Sequence, residues 1–222
     1  DNPIDTRRGS QFTLSAQFTP PYSLFSKKDY KSLYESSSRA DREELYRWIE
    51  YYKLKFKSRV YTPLNNSEKY TLVLMGRADF GLLGSYNKYK QTPFETFHVG
   101  GDGMTGSYTY ATETIGLRGY DNGALTPYSD GRAYTRFSME LHFPFLLQPS
   151  STIYGLAFVE GGNAWTSLEN FNPFSLKRSA GVGVRIFLPM IGLMGIDWAY
   201  GFDKVQGEKG GGHFHFILGQ EF

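Results

Sequence analysis

The stretch Leu193-Met194-Gly195-Ile196-Asp197-Trp198-Ala199-Tyr200-Gly201-Phe202 decides the fold. From Met194 to Phe202 every second residue is large and apolar, and the residues between are Gly, Asp and Ala. A period of two marks a strand with two unlike faces. One face here is broad and apolar; the other is small and polar.

The same alternation recurs in seven other segments: residues 8–19, 52–60, 70–81, 133–143, 152–165, 179–188 and 212–222. In 133–143, Phe137, Met139, Leu141 and Phe143 oppose Arg136, Ser138, Glu140 and His142. In 152–165, Ile153, Ala157 and Val159 oppose Tyr154, Leu156, Phe158 and Glu160. In 52–60 the polar face is a column of Lys53, Lys55, Lys57 and Arg59, which reads as a water-lined wall. The connections alternate in length: 20–51, 82–132, 166–178 and 203–211 are long, and 61–69, 144–151 and 189–192 are short. Long loops at one end of a sheet and tight turns at the other are the pattern of an outer-membrane barrel. Residues 39–49 read as a short helix in the first long loop, with Ser38 as N-cap and Leu45, Trp48 and Ile49 as its apolar stripe.

A soluble sandwich or lipocalin-like barrel is the competing architecture. It would have to bury all the Phe, Tyr, Trp and Leu of the large faces inside eight strands, where there is room for side chains or one small ligand. The reading is therefore an all-β, antiparallel transmembrane barrel wall with the large face outward. Phe12, Leu14, Phe137, Leu141, Val182, Ile186, Ile196, Trp198, Phe214 and Phe216 are expected to face lipid.

Composition agrees. The 222 residues include 18 Phe, 17 Tyr, 25 Gly and no Cys, with a formal net charge of +2. Such a balance gives no electrostatic footprint for nucleic acid. Without Cys there is neither a disulfide framework nor a thiolate metal site. No apolar run approaches the roughly 20 residues of a membrane helix. No Ser-His-Asp signature, P-loop or H-E-x-x-H is present. The sequence thus predicts no enzyme, no cofactor and no metal.

Four motifs carry a family resemblance. Gly116-Leu117-Arg118-Gly119-Tyr120 lies in the 82–132 connection and is similar to a (V/I/L)-R-G-(F/Y) motif. Phe158-Val159-Glu160-Gly161-Gly162 resembles F-x-D-x-G, with Glu for the usual Asp. Gly181-Val182-Gly183-Val184-Arg185 resembles G-x-G-x-R and continues through Pro189 and Gly192 to Asp197-Trp198-Ala199-Tyr200. The run from His213 through Phe214, Phe216, Leu218 and Gly219 to Phe222 resembles a C-terminal β-signal. In this order the motifs resemble those of the outer-membrane assembly and two-partner-secretion superfamily, the family of BamA, TamA and FhaC.

The resemblance implies that residues 1–222 are the C-terminal half of a 16-stranded barrel, without its first half or its POTRA domains. It implies that the long loop folds back into the lumen. There Arg118, Gly119 and Tyr120 would form a latch, with Arg118 on Glu160 first and Glu140 second, and Arg185 and Asp197 as a possible extension. It implies a function in assembling and inserting β-barrel proteins into the outer membrane of a Gram-negative bacterium. The partners would be lipid, unfolded β-barrel clients and accessory subunits, with residues 212–222 as a gate strand. A translocation pore of the two-partner-secretion type is the alternative, and a surface barrel with ligand-binding loops is a third reading. Eight strands leave two edges, at 8–19 and 212–222. Open edges are not viable in hydrocarbon, so an open or edge-paired dimeric arrangement is expected in preference to a closed eight-stranded monomer.

Overall fold

The structure, a computed structural model, describes residues 6–67, 70–104, 112–128, 130–148, 151–190, 192–207 and 210–219. One sheet of eight strands dominates it: β1 (Gly9–Phe18), β2 (Tyr52–Pro63), β3 (Val73–Gly84), β6 (Ala133–Gln148), β7 (Ser151–Trp165), β8 (Lys177–Leu188), β9 (Gly192–Gly201) and β10 (Gly212–Leu218). They pair in that order and all antiparallel. The short strands β4 (Phe97–Val99) and β5 (Glu113–Ile115) form a separate parallel pair inside the long connection.

The burial pattern is that of an inverted protein. In β9, Asp197 is 0% exposed while its neighbours Ile196 and Trp198 are 52% and 42% exposed. Glu160, Arg185, Arg136, Ser138 and His215 are buried, and Phe12, Leu14, Val182, Phe214 and Phe216 are exposed. Phe137, Leu141 and Ile186 are intermediate. Large apolar side chains thus point outward along most of the wall and polar ones inward, as a lipid-facing strand requires. Leu156 and Phe158 of β7 are instead buried and pack with Ala199 of β9. A second buried apolar cluster joins the loop to the wall. Phe97, Val99 and Ile115 pack with Leu83 and Tyr134, and the Phe97 and Tyr134 rings meet edge-on at 4.7 Å.

Several boundaries differ from the sequence reading, each for a local reason. The third strand starts at Val73, not at residue 70, because Asn65 and Leu64 bind Leu72 and close the turn there. It runs on to Gly84, opposite Tyr52. The fourth large strand does not stop at Phe143. It continues to Gln148 across a register shift between Pro144 and Leu146. Proline lacks the ladder N–H, and a bulge is where a sheet accommodates it. The last strand ends at Leu218 and Gly219 follows at φ +87°; Phe222 lies outside the described residues.

The first loop holds three helices, α1 (Tyr22–Phe25), α2 (Tyr30–Glu35) and α3 (Arg39–Tyr46), where one was expected. Asp29 caps α2 by accepting from the N–H groups of Lys31 and Ser32. Ser38 makes no side-chain cap. α3 stops short of Trp48 and Ile49 because the chain has to extend there: Thr19 and Tyr51 bind each other through N–H to O at 3.0 Å and N–H to Oγ1 at 2.6 Å.

The sheet is open. β1 and β10 stand at its two ends, and among the described residues neither pairs on its outer side.

The outward face makes a direct prediction. Ile196→Arg or Val182→Arg, both at mid-strand, is expected to cost about 2–4 kcal/mol in lipid, and Phe202→Arg, beyond the end of β9, about 0–1 kcal/mol. Urea unfolding in vesicles measures this; equal costs at the three positions would contradict an outward, depth-dependent apolar face.

Candidate functional site

The connection between β3 and β6 folds inward and is fastened along its length. Gly100 and Gly101 bind Ile115 and Leu117 backbone to backbone, so the segment before Arg118 is held in an extended pair. Arg136 of β6 donates from Nη1 to the Gly116 carbonyl at 2.8 Å and from Nη2 to Asp79 of β3 at 2.6 Å. The chain is thereby delivered to a fixed place when it reaches Arg118.

Arg118 is 7% exposed and surrounded by carboxylates. Its Nε donates to Glu160 Oε1 at 3.1 Å and its Nη2 to the same oxygen at 2.5 Å. Nη2 also donates to Glu140, and Nη1 to Asp197 Oδ2 at 2.9 Å. The Arg118 backbone N–H donates to the other Glu160 oxygen at 2.9 Å. One guanidinium therefore joins β6, β7 and β9. Charge-assisted bonds of this kind are the strong ones, and the planar fork gives them direction. The guanidinium carbon also lies 3.5 Å from the centre of the Phe158 ring, a cation–π stack in a desolvated place.

The surrounding groups complete the network. Ser138 donates to Glu160 at 3.1 Å and His142 meets Glu140 at 3.0 Å. Arg185 binds Asp197 with Nη1, and with Nη2 at 2.8 Å. Gly119 has φ +89°, and a Cβ there would stand 2.8 Å from Ser179 Cβ and 3.0 Å from the Gly201 nitrogen. Tyr120 is buried and donates from its hydroxyl to the Arg178 carbonyl at 2.6 Å. Arg178 is fixed in turn by Asp203, which accepts from its N–H at 2.7 Å, its Nε at 3.0 Å and its Nη2 at 2.9 Å.

The structure thus brings Arg118, Glu140, Glu160, Arg185 and Asp197 into one cluster, with Gly119 and Tyr120 on the adjoining wall. Asp197 touches Arg118 directly as well as Arg185. Phe214, Phe216 and Leu218 lie apart from the cluster, on the outward face of β10.

The lysine column is not the water-lined wall read from the sequence. Glu113 of the loop lies 3.2, 2.9 and 3.8 Å from Lys53, Lys55 and Lys57, and Glu95 lies 3.2 Å from Lys53. Sequence reasoning missed both glutamates, because an acid in an irregular loop has no periodicity to place it. The surplus of cations on one strand face was the available signal that a loop acid belonged there. It also missed Asp79 with Arg77 and Arg136, although Arg77 and Asp79 share a face by simple alternation. A cavity of 570 Å³ remains beside the cluster, bordered by Arg118, Glu140, Glu160 and Arg185 and by residues of both edge strands, Gln11 and Ile217.

The family model of the Omp85 superfamily domain matches residues 1–222. Among solved structures, the chain is similar to the crystal structure of BamA from Haemophilus ducreyi lacking POTRA domains 1–3, with a TM-score of 0.61 and 19% identity. The match covers 95% of this chain and 38% of that one, so the chain spans well under half the length of the structure it resembles. The shared feature is the fold of the barrel wall.

Two predictions follow from the network. Arg118→Ala leaves the buried Glu160 without its cation and is expected to cost about 3–5 kcal/mol, the usual penalty for removing one partner of a buried ion pair. Arg118→Lys keeps the charge but not the fork and is expected to fall between. Urea midpoints decide; a neutral Arg118→Ala would contradict the assigned contacts. At the rim, the hydrogen bonds from Arg178 hold the Asp203 carboxyl down at about 2. Any stability this contributes is present above the ordinary carboxyl range and is lost as pH falls toward 2. NMR titration of Asp203 is expected to show that midpoint, and Arg178→Ala to return it toward the ordinary range.

Proposed function

The chain belongs to the Omp85 superfamily, and on that premise we propose that it forms the C-terminal part of a barrel that assembles and inserts β-barrel proteins in the outer membrane of a Gram-negative bacterium. One observation carries this reading. A single loop residue, Arg118, ties together three strands of the wall through the carboxylates of Glu140, Glu160 and Asp197.

The physical logic is templating. An open sheet edge presents a row of backbone donors and acceptors that a client strand completes by addition. A template works best when the wall behind it is rigid, and the loop braces β6 to β9 from inside. In hydrocarbon such an edge is costly while unpaired. Pairing with a client strand, with further strands of a longer barrel or with a second copy of the edge relieves that cost. No nucleotide is required: client hydrogen bonding and apolar burial in lipid supply the driving force. Phe214, Phe216 and Leu218 face outward beside that edge, so an entering strand meets lipid and template together. Accessory subunits would act on parts of the protein beyond this wall.

A secretion pore of the same superfamily is the competitor. It shares the Arg118 loop motif, so an insertion assay is what separates the two.

The test uses the full-length protein in proteoliposomes with a urea-unfolded outer-membrane barrel as client. Insertion is followed by the heat-modifiable gel shift of the folded client. We expect acceleration over empty liposomes, reduced roughly tenfold or more by Arg118→Ala if the brace is worth at least about 1.4 kcal/mol to the productive state. A Leu218→Cys variant is expected to cross-link to a cysteine in the client's terminal strand. Passage of a polypeptide into the vesicle interior without client insertion would establish the secretion reading instead.

A further inference from the structure

His215 faces the lumen from β10 and is buried at 5% exposure. Its partner across the ladder on β9 is Asp197, the carboxylate that holds both Arg118 and Arg185. The Nε2 of His215 accepts a hydrogen bond of 2.9 Å from the backbone N–H of Gly119, the residue next to Arg118. Gly119 is wedged at positive φ between Ser179 and Gly201, so its peptide cannot swing to another acceptor. A second histidine of the same strand, His213, lies 3.2 Å from Asp121 of the loop.

We propose that His215 is the positioning residue that couples the open-edged strand β10 to the Arg118 loop, and that this coupling exists only while its imidazole is neutral. An imidazole accepts at Nε2 only when that nitrogen carries a lone pair, with the proton on Nδ1. Protonation sets two N–H groups against each other and places a second cation beside Arg118. Histidine is the side chain whose ordinary titration falls between pH 5 and 8. The charged and titratable groups around His215 are Arg118 and Asp102 from the loop, Asp197 from β9 and His213 from β10 itself. Asp197 is engaged on both oxygens by arginines. The Arg118 contacts are to carboxylates; the imidazole in that clamp, His142, lies on Glu140, where a proton adds to the ion pairing and does not oppose it. Acidification therefore uncouples β10 while leaving the clamp on β6, β7 and β9 closed. The His213–Asp121 pair responds in the opposite sense, but the Asp121 side chain is 79% exposed and solvent screens it.

The test is hydrogen exchange with mass spectrometry on the full-length protein in nanodiscs, from pH 8 to pH 5, corrected for the intrinsic pH dependence of exchange. No client is present, so the result is independent of the insertion reading. Protection of the 212–219 peptide is expected to fall about 5-fold on acidification, the worth of one ordinary hydrogen bond, while 133–143 and 152–165 hold. His215→Gln, which offers a non-titrating acceptor, is expected to keep the high-pH protection and abolish the pH step. His213→Ala is expected to retain the step. A pH step that survives in His215→Gln, disappears in His213→Ala, or is absent from the wild type would overturn the proposal. The wild type and His213→Ala decide it even if the glutamine variant fails to fold.

Discussion

A guanidinium taken out of water has to be met by anions, and this structure is built around one such demand. Arg118 arrives on a loop that crosses the lumen, and β6, β7 and β9 each present a carboxylate where it arrives. Remove the cation and Glu160 is left without a cation beside Glu140 in a confined, poorly hydrated space, with only Asp197 still held by Arg185. Remove the carboxylates and the arginine is a buried unpaired charge. Neither the loop nor the wall is stable in this form without the other. That mutual requirement explains why charged residues such as Asp197, Arg118 and Glu160 can be buried as deeply as apolar ones.

The charges also fix which way round the loop lies. Its acids, Glu95 and Glu113, meet the lysines of β2, and its arginine meets the acids of β6, β7 and β9. A reversed loop would put Arg118 against Lys53, Lys55 and Lys57 and its glutamates against Glu140 and Glu160. Like-charge contacts at short range in a low-dielectric lumen are costly. Two patches of opposite sign, on opposite sides of the wall, thus specify one orientation for a segment that has little regular structure of its own. Arg136 adds a third fastening between them, through the Gly116 carbonyl and Asp79.

The wall was legible in the sequence because period two is a strong local signal. It put Asp197 and Trp198 on opposite faces, and it put Glu140, Glu160, Arg185 and His215 on the inner one. The loop was legible only where a motif marked it. Nothing periodic announces β4 and β5, a parallel pair of three-residue strands formed by segments that meet only after the loop has folded inward. The bulge depends on a partner strand, and residue type alone does not decide which polar residue caps a helix. Ser38 has the chemistry of a cap and does not serve as one, whereas Asp29 does. Pro144 looks like a strand end until its own strand is known to bulge at Phe145 and resume pairing at Leu146.

Glycine explains why the Arg185–Asp197 pair can lie flat against the sheet. A Cβ on Gly183 would overlap the Asp197 carboxylate, and one on Gly195 would stand 2.6 Å from the Arg185 guanidinium. Gly183 of the G-x-G-x-R stretch and Gly195 of β9 are therefore space for this ion pair, which with Arg118 joins β8 and β9 to the loop. β10 stands outside that junction. It has 7 residues against 15 in β7, pairs with β9 on one side, and meets the loop through imidazoles and not through a guanidinium clamp. Opening free energies are not uniform across a fold, and they are lowest where paired backbone and buried contacts are fewest. The distribution of contacts thus leaves β10 the least fastened of the wall strands on this side, and the carboxylate clamp fastens its neighbours β7 to β9 to the loop.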